Sequence, residues 1–520
     1  MYRTVGVAAV VAALALVLVM GARAPREVEA ASLSVFSSAD SGQGTFRAAV
    51  EAANANPSIT KIVLRNWLPI TLTSTVTYTG SQPLTVQGDS PLFNRVIEGD
   101  GACARFKSTS GGDITFQRVT MRDFSCNLFL EAAVHIEPPA DAGEVIVRLD
   151  RVVVENVMAD IGIRLDEAPA SGTSFSLQVT GSRIDGCDIV CVLVDERGTG
   201  GVVASFSTTT VRGAGERGVA VSEQDSGDVS FSASGSQFNE NNNAGVEVLA
   251  GGSGDLEVTL NGIGASNNGT SGVSLHQGGE GDFDLTGAYL RLEGNGSSGL
   301  YATESGDGDF SAWLSGVEAT GNSNHNMLLQ ENDEGDGDFR VSGSTLNDSE
   351  IGTGLTAVEF GSGTLSLWVS GLTANDNHQD GLVALQAAEG DLALTTLLSR
   401  FEGNDGAGVF ASDLGSGSLR FTVSASRATG NAEDGFSFAE ALEGAVEGTF
   451  SSSVAWDNGS YGYHLVEGDD GPLDVAYSLS SAVGNSTGGT FASADGDVGQ
   501  IHEFASAVGP YDLTNVVVGP

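Results

Sequence analysis

A strict internal repeat dominates the sequence and restricts the folds that it can adopt. From residue 218 onward, a glycine followed by alternating apolar residues returns every 27 residues, with one interval of 28 between Asn326 and Gly354. A unit of 27 residues is too short to bury an apolar face alone, so successive units must stack on one another. The units begin at Gly218, Gly245, Gly272, Gly299, Asn326, Gly354, Gly381, Gly408, Gly435, Gly462 and Gly489.

Within a unit, apolar and polar residues alternate with the period of a β-strand. In the unit that starts at Gly245, apolar residues alternate directly after the glycine, again over 256–260, and more weakly over 263–265. Gly, Asp, Asn and Ser separate these segments, which is typical of turns. Three short strands per unit describe one triangular coil, and stacked coils would lie about 4.8 Å apart. The sequence therefore predicts an all-β, single-stranded, right-handed parallel β-helix.

An asparagine precedes almost every repeat start by four residues. Its amide can donate to one neighbour and accept from another, so stacked copies can form a buried ladder at one corner of the coil. Glu350, beside the one-residue insertion, breaks the series. The predicted ladder consists of Asn241, Asn268, Asn295, Asn322, Asn377, Asn404, Asn431, Asn458 and Asn485.

A short amphipathic helix is predicted near the start of the chain. Phe46, Ala49, Val50 and Ala53 have the spacing of one apolar helical face, and Pro57 follows them. Such a helix would cover the open end of the core, where strand edges would otherwise be exposed.

The pattern Asn-x-x-x-Gly-apolar-x-apolar resembles the repeats of pectate-lyase-like β-helix proteins over roughly residues 160–500. The segment DSGQGTFRAAVEAANANPSITKIVL resembles the CSLREA-type opening of secreted β-helix proteins, and Arg47, Ala49 and Asn54 fit it. The cysteine and glutamate of that opening are replaced here by Gly44 and Ala48. The resemblance implies a secreted protein, some of whose relatives cleave uronates with a calcium cluster and a basic residue.

The predicted organisation begins with a signal peptide over residues 1–31, because an apolar run from Val5 to Met20 follows Arg3. A cap with the helix follows over 32–60. Less regular coils are predicted over 61–217, regular coils over 218–510 and a C-terminal end over 511–520. Sixteen apolar residues are few for a bilayer span, so cleavage is favoured over retention as an anchor.

Four cysteines fit an oxidising compartment, and disulfides are favoured over free buried thiols. Cys187 and Cys191 have the spacing of a local bridge; Cys103 and Cys126 are the others. The chain carries 67 Asp and Glu against 23 Lys and Arg, a net charge of −44. Such a charge repels nucleic acid and anionic membranes, so neither is an expected partner.

Two kinds of candidate site remain. Gly-Asp recurs at one turn, and stacked carboxylates there suggest Ca²⁺, against the alternative of ordinary turn chemistry in solvent. Trp313 and Trp368 occupy outward positions two coils apart and suggest sugar stacking, against the alternative of coverage by local loops. Arg340 falls in the intervening coil. Arg400 and Arg427 occupy equivalent positions on adjacent coils and suggest a site for a uronate or sulfate, against the alternative of two solvated side chains beside surface acids. The calcium candidates are Asp255, Asp282, Asp309, Asp336 and Asp338.

Motifs for catalysis are few. Galacturonan hydrolases carry Gly-His-Gly, which this sequence lacks, and Asp469-Asp470 is its one Asp-Asp pair. The sequence favours a secreted or cell-surface binding or structural protein, with an extracellular glycan or cell-surface component as partner. The alternative is a polysaccharide lyase or glycoside hydrolase. Fold alone supports that alternative only by analogy.

Overall fold

A computed structural model describes residues 31–100, 104–125, 131–140, 142–158, 161–167, 171–469, 471–495 and 498–519. This part of the chain forms a right-handed parallel β-helix of about 17 coils, which confirms the predicted fold class. It contains 51 strands and one helix. The predicted signal peptide lies outside the described residues except for Ala31, which begins the first strand.

Sheet I is the longest of the three sheets and follows the second apolar segment of each repeat. All its pairings are parallel, and neighbouring strands belong to consecutive coils. Its strands are Ala31–Val35, Ile59–Leu64, Leu84–Gly88, Ile114–Gln117, Glu144–Asp150, Ser174–Thr180, Val202–Ser207, Val229–Ser234, Leu256–Asn261, Phe283–Ala288, Phe310–Ser315, Gly337–Ser342, Leu365–Ser370, Leu392–Leu397, Leu419–Ser424, Val446–Ser451, Leu473–Ser478, Gly499–Phe504 and Val516–Gly519.

Sheet II follows the first apolar segment, directly after each repeat start. It is also parallel throughout. Its strands are Val76–Tyr78, Phe106–Ser108, Ala132–Ile136, Ile161–Asp166, Val190–Glu196, Val219–Glu223, Val246–Ala250, Val273–Gln277, Leu300–Glu304, Met327–Glu331, Leu355–Glu359, Leu382–Gln386, Val409–Asp413, Phe436–Glu440, Tyr461–Glu467, Gly488–Ala494 and Tyr511–Thr514.

Sheet III corresponds to the weak third segment and is made of short strands in two parts, joined through single bridges at Gly264. The first part contains Ile70–Leu72, Arg95–Gly99, Val119–Arg122, Val153–Val157, Arg183–Cys187, Thr210–Arg212 and Gln237–Asn239. The second part contains Arg291–Glu293, Glu318–Thr320, Thr345–Asn347, Thr373–Asn375, Arg400–Glu402, Arg427–Thr429, Val454–Trp456 and Ser481–Val483.

Coil length differs between the two ends of the solenoid. Along sheet I, Leu84 pairs with Ile114, an offset of 30, and Ile114 pairs with Val147, an offset of 33. From the pairing of Phe175 with Val202 to that of Val446 with Leu473, the offset is 27, except for 28 between Gly337 and Leu365. A constant offset keeps the alternating side chains in register, so the same faces stay buried from coil to coil.

The helix, Phe46–Ala55, lies against the first strands and caps the core as predicted. Phe46, Ala49, Val50 and Ala53 are its buried residues, and Thr45 caps its first turn by accepting the Ala48 N–H. The Phe46 ring lies 6.3 Å from that of Phe106, inside the first coils. No helix in the described ranges is long and apolar enough to cross a membrane.

The asparagine ladder is confirmed by its hydrogen bonds. Asn404 shows the pattern: its Oδ1 accepts the backbone and side-chain N–H of Asn377, at 3.1 and 3.0 Å. Its own Nδ2 donates to Asn431 Oδ1 and to the Ala374 carbonyl, at 2.9 and 3.1 Å. Each amide thus joins its own coil to the next.

In the coil that contains the one-residue insertion, which we call the irregular coil, one detail of the prediction was wrong. The ladder position there is Ser349 and not Glu350, because the Ser349 N–H donates to Asn377 Oδ1 as a ladder residue does, at 3.1 Å. Asn326, at the repeat start, fills the resulting gap. Its Oδ1 accepts from Asn322 Nδ2 at 2.8 Å, and its Nδ2 donates to Asn377 Oδ1 at 3.1 Å.

Candidate binding surface

The outer face of sheet I brings three of the candidate residues into one row. Trp313 pairs directly with Arg340, and Arg340 pairs with Trp368. The insertion that obscures the register in the sequence lies between Arg340 and Trp368, and the two pairings place Arg340 between the two tryptophans. Two coil spacings, about 10 Å, separate the rings.

The two tryptophans are accessible rather than covered by loops. Their exposed fractions are 56% for Trp313 and 38% for Trp368. The guanidinium carbon of Arg340 lies 5.2 Å from the centroid of the Trp313 ring, within cation–π range. Arg340 also donates to Asp338 Oδ2 at 3.3 Å. Its planar group therefore holds a defined position between two aromatic surfaces.

Hydroxyl side chains continue the same row in both directions, which sequence reasoning missed. Thr286 pairs with Trp313 and follows Thr259, while Thr395 pairs with Trp368 and precedes Thr422 and Thr449. The signal was present as threonine at one phase of the 27-residue repeat. Because outward positions alternate along a strand, these hydroxyls face the same side as the tryptophans.

Four shallow depressions lie end to end on this face and share lining residues. One depression of about 730 Å³ is bordered by Arg340, Trp368 and Thr395. It shares Asp338 with the depression around Trp313, and Ala393 with the next one along the chain. Together they extend from Glu144 to Ala476, across thirteen strands of sheet I, or about 60 Å. We call this surface the sheet I strip.

A second outward row gives the sheet I strip its charge. Glu257, Asp284, Asp338 and Glu447 occupy equivalent positions in their strands. Arg340 is paired with Asp338, and Arg420 lies in the same row as Glu447, with its Nη1 2.5 Å from Asp391 Oδ2. The strip therefore offers carboxylates, hydroxyls and aromatic rings, and its two arginines are both compensated.

Arg400 and Arg427 do not belong to the sheet I strip. They pair on adjacent coils as the sequence indicates, but on sheet III. Both lie 3.5 Å from Glu402 Oε1, and Arg427 is also 5.6 Å from the centroid of the Trp456 ring. Their charge is directed to a neighbouring acid and an aromatic ring.

The Gly-Asp turns form a ladder of their own. Asp255 Oδ1 accepts the Asp282 N–H at 3.0 Å, and Asp282 Oδ1 accepts the Asp309 N–H at 3.1 Å. In the same way, Asp309 Oδ1 accepts the Asp336 N–H, and Asp336 Oδ1 accepts the Thr364 N–H. Asp338 lies apart, in the sheet I strip. Within the described ranges, no three His, Cys, Asp or Glu side chains assemble into a metal cluster. One oxygen of each ladder aspartate thus has a structural role.

Calcium binding at these turns stays a prediction with a direct test. If the second carboxylate oxygens bind Ca²⁺, we expect calcium to raise the Tm above the value in NaCl of matched ionic strength. The D282N/D309N variant keeps an oxygen for the backbone N–H but loses two charges, so it should lose that increment. Differential scanning calorimetry measures both, and equal Tm values in the two salts would contradict the prediction.

Two of the four cysteines can be placed. Cys187 and Cys191 form a disulfide with Cα atoms 5.2 Å apart, at the end of a sheet III strand. Cys103 and Cys126 lie outside the described residues.

Comparison with protein-family models and with curated proteins finds no match.

Proposed function

We propose that this protein binds an extended, uncharged extracellular polysaccharide along the sheet I strip. The observation that carries the proposal is the Trp313–Arg340–Trp368 row at the centre of a continuous shallow surface. Sugar rings present flat apolar faces that stack on exposed aromatic rings. Their hydroxyl groups match the threonine hydroxyls and carboxylates that run alongside.

The shape and charge of the strip support a linear, neutral ligand. A surface about 60 Å long and one sheet wide suits a chain that lies parallel to the solenoid axis. The outward acids Glu257, Asp284 and Glu447 would repel a polyanion, and the arginines beside them are already paired. A neutral glycan would meet no such barrier.

A secreted or cell-surface location forms part of the proposal. The apolar run Val5–Met20 supports export, and the Cys187–Cys191 disulfide fits an oxidising compartment. We also propose kinship with pectate-lyase-like β-helix proteins and with the CSLREA-type opening. The asparagine ladder and the helical cap support this kinship.

The tryptophans provide the decisive test. We expect the W313A/W368A variant to lose binding to neutral polysaccharides at least tenfold, because the stacking surface is gone. Trp456, with 45% of its side chain exposed, lies on sheet III and gives a matched control, W456A. Affinity electrophoresis or calorimetry against a glycan panel measures binding, and circular dichroism verifies the fold. Equal losses in W313A/W368A and W456A would refute a site on the strip.

The alternative function is catalysis, and incubation with the same panel of glycans tests it. The carboxyl groups with strongly raised pKa values, such as Glu304 and Glu359, are buried inside the coil and do not reach the strip. This favours binding without turnover. Release of reducing ends or unsaturated products, abolished by neutralising Glu257 or Asp284, would instead establish a glycoside hydrolase or polysaccharide lyase.

A further inference from the structure

A column of acidic side chains runs through the interior of the solenoid. Each sits at the last position of a sheet II strand, and the strand registers place Glu196 on Glu223, Glu331 on Glu359, and Glu440 on Glu467. All members are at most 1% exposed. We call this set the carboxyl column; its acids are Glu196, Glu223, Glu304, Glu331, Glu359, Asp413, Glu440 and Glu467, with Gln277 and Gln386 at two intervening positions.

One oxygen of most column members has a clear structural partner. Glu223 Oε1 accepts the backbone N–H groups of Asp225 and Gly227 at 2.7 and 3.1 Å. Glu359 Oε1 accepts the Gly361 N–H at 2.7 Å. Each of these carboxyls thus ties down the turn that follows its own strand.

The second oxygen of most members has no such partner; Glu467 is the exception, because its Oε2 accepts the Asp495 N–H at 3.2 Å. The unpaired atoms are Oε2 of Glu196, Glu223, Glu331, Glu359 and Glu440, Oδ2 of Asp413, and both oxygens of Glu304. A buried carboxylate oxygen without a donor is strongly unfavourable. Within the described ranges, no ion pair reaches a column member.

The charged groups that face the column are also acidic. Asp225 lies near Glu223, Asp333 near Glu331, Asp336 near Glu359, and Asp391 near Asp413. Neighbouring members add to the repulsion, since Glu304 and Glu331 lie within hydrogen-bonding reach of each other. A fully ionised column would therefore stack like charges in a dry interior without compensation.

Protons resolve this conflict. A protonated carboxyl carries one O–H donor, which can reach the free oxygen of the next coil. The glutamines support this arrangement, because Gln277 Nε2 donates to the Gly254 carbonyl at 2.8 Å at a position where an acid could donate only when protonated. Burial raises the pKa of Glu196 to about 9 and that of Glu304 and Glu359 to about 8. Burial also raises the pKa of Glu440 to about 7.

We propose that the carboxyl column holds protons shared between successive coils, so that the folded solenoid binds protons that the unfolded chain releases, and that it is more stable in acid than in alkali. The sign follows from linkage. Between the ordinary glutamate pKa of 4.5 and the raised values near 8 and 9, the folded state binds more protons than the unfolded state. Stability therefore falls as the pH rises through this window.

The net charge of −44 also makes stability fall with rising pH, so a matched control is essential. E304Q/E331Q/E359Q replaces three buried acids by the residue that the column itself uses at Gln277 and Gln386. E280Q/E334Q/E443Q removes the same number of acids from exposed positions in the turns that follow three sheet II strands. Each proton held only by the folded state changes the folding equilibrium constant about tenfold per pH unit.

We expect the Tm of the wild-type protein to fall between pH 5 and 9, the exposed-site variant to keep this slope, and the column variant to flatten it. Equal slopes in the two variants would overturn the proposal. Infrared spectroscopy of the wild-type protein gives a second test that needs no variant. At pH 7 the exposed carboxyls are ionised, so the carbonyl band of a protonated carboxylic acid should remain from the column, and its absence would also overturn the proposal.

Discussion

Replacement of Asn404 by alanine should lower the free energy of unfolding by about 3 kcal/mol. The substitution leaves two buried backbone groups, the Asn377 N–H and the Ala374 carbonyl, without their partners. Each such group costs about 1–3 kcal/mol in a site that water does not reach. Asn404 is 1% exposed, and Asn377 and Asn431 above and below it are equally buried, so water has no access to the gap.

Gln379 provides the control for this prediction. It lies two residues after the ladder position in the neighbouring coil, its side chain is exposed, and its backbone N–H bonds to Gly352 independently of the side chain. Q379A should change stability by less than about 0.5 kcal/mol. Urea-induced unfolding followed by circular dichroism measures both variants. Similar losses in N404A and Q379A would show that the ladder does not stabilise the coil corner.

The fold could be predicted from the sequence because stacking imposes one length on every coil. The strands that begin at Leu256 and Phe283 pair residue for residue only if the interval between them is exactly one coil. A strict period therefore reveals the architecture before any contact is known. The third strand of each coil was the weakest signal, and beside Ile263 the structure forms only two isolated bridges, from Gly264 to Gln237 and to Arg291, instead of a strand.

Functional residues were harder to predict than the fold. The repeat gives the position of a residue within its coil, but it does not show whether the side chain acts in the core or on the surface. The acids at the end of the sheet II strands recur at intervals of 27, as in Glu196, Glu223 and Glu304, Glu331. In a chain so rich in Asp and Glu, an acid is first assigned to the surface, since acids are rarely buried. The alternation places these in the core, where their pKa values rise.

For the sheet I strip, the orientation of the tryptophans could be predicted from the sequence, and the neighbouring threonines could not. Trp313 and Trp368 were predicted to face outward, and they do, because they fall between inward apolar residues of the same strand. The threonines at the same phase were missed because a single hydroxyl residue on a strand carries no signal by itself. Only the stacked register of Thr286, Trp313 and Arg340 turns separate residues into one surface.

In the coil that contains the one-residue insertion, restoring the repeat residue should destabilise the protein rather than stabilise it. Every other repeat start from Gly218 to Gly489 is glycine, yet N326G should destabilise the protein by about 2–3 kcal/mol. Asn326 is fully buried and accepts one of the two side-chain N–H groups of Asn322, so glycine leaves that N–H and the Asn347 carbonyl without these partners. Glycine is needed elsewhere because an added Cβ at Gly408 would lie 2.9 Å from Asn431 Nδ2.

Ser349 explains why asparagine fits at this one start. The smaller side chain at the ladder position leaves the space that the Asn326 amide occupies, so the two departures from the repeat compensate each other. S349N alone should overpack the corner and cost about 1–3 kcal/mol. The N326G/S349N variant regains one ladder asparagine and one glycine, and should be more stable than the sum of the single losses by about 1–3 kcal/mol. A double-mutant cycle by urea unfolding measures this coupling. Strictly additive losses would mean that Asn326 and Ser349 do not share one position in the ladder.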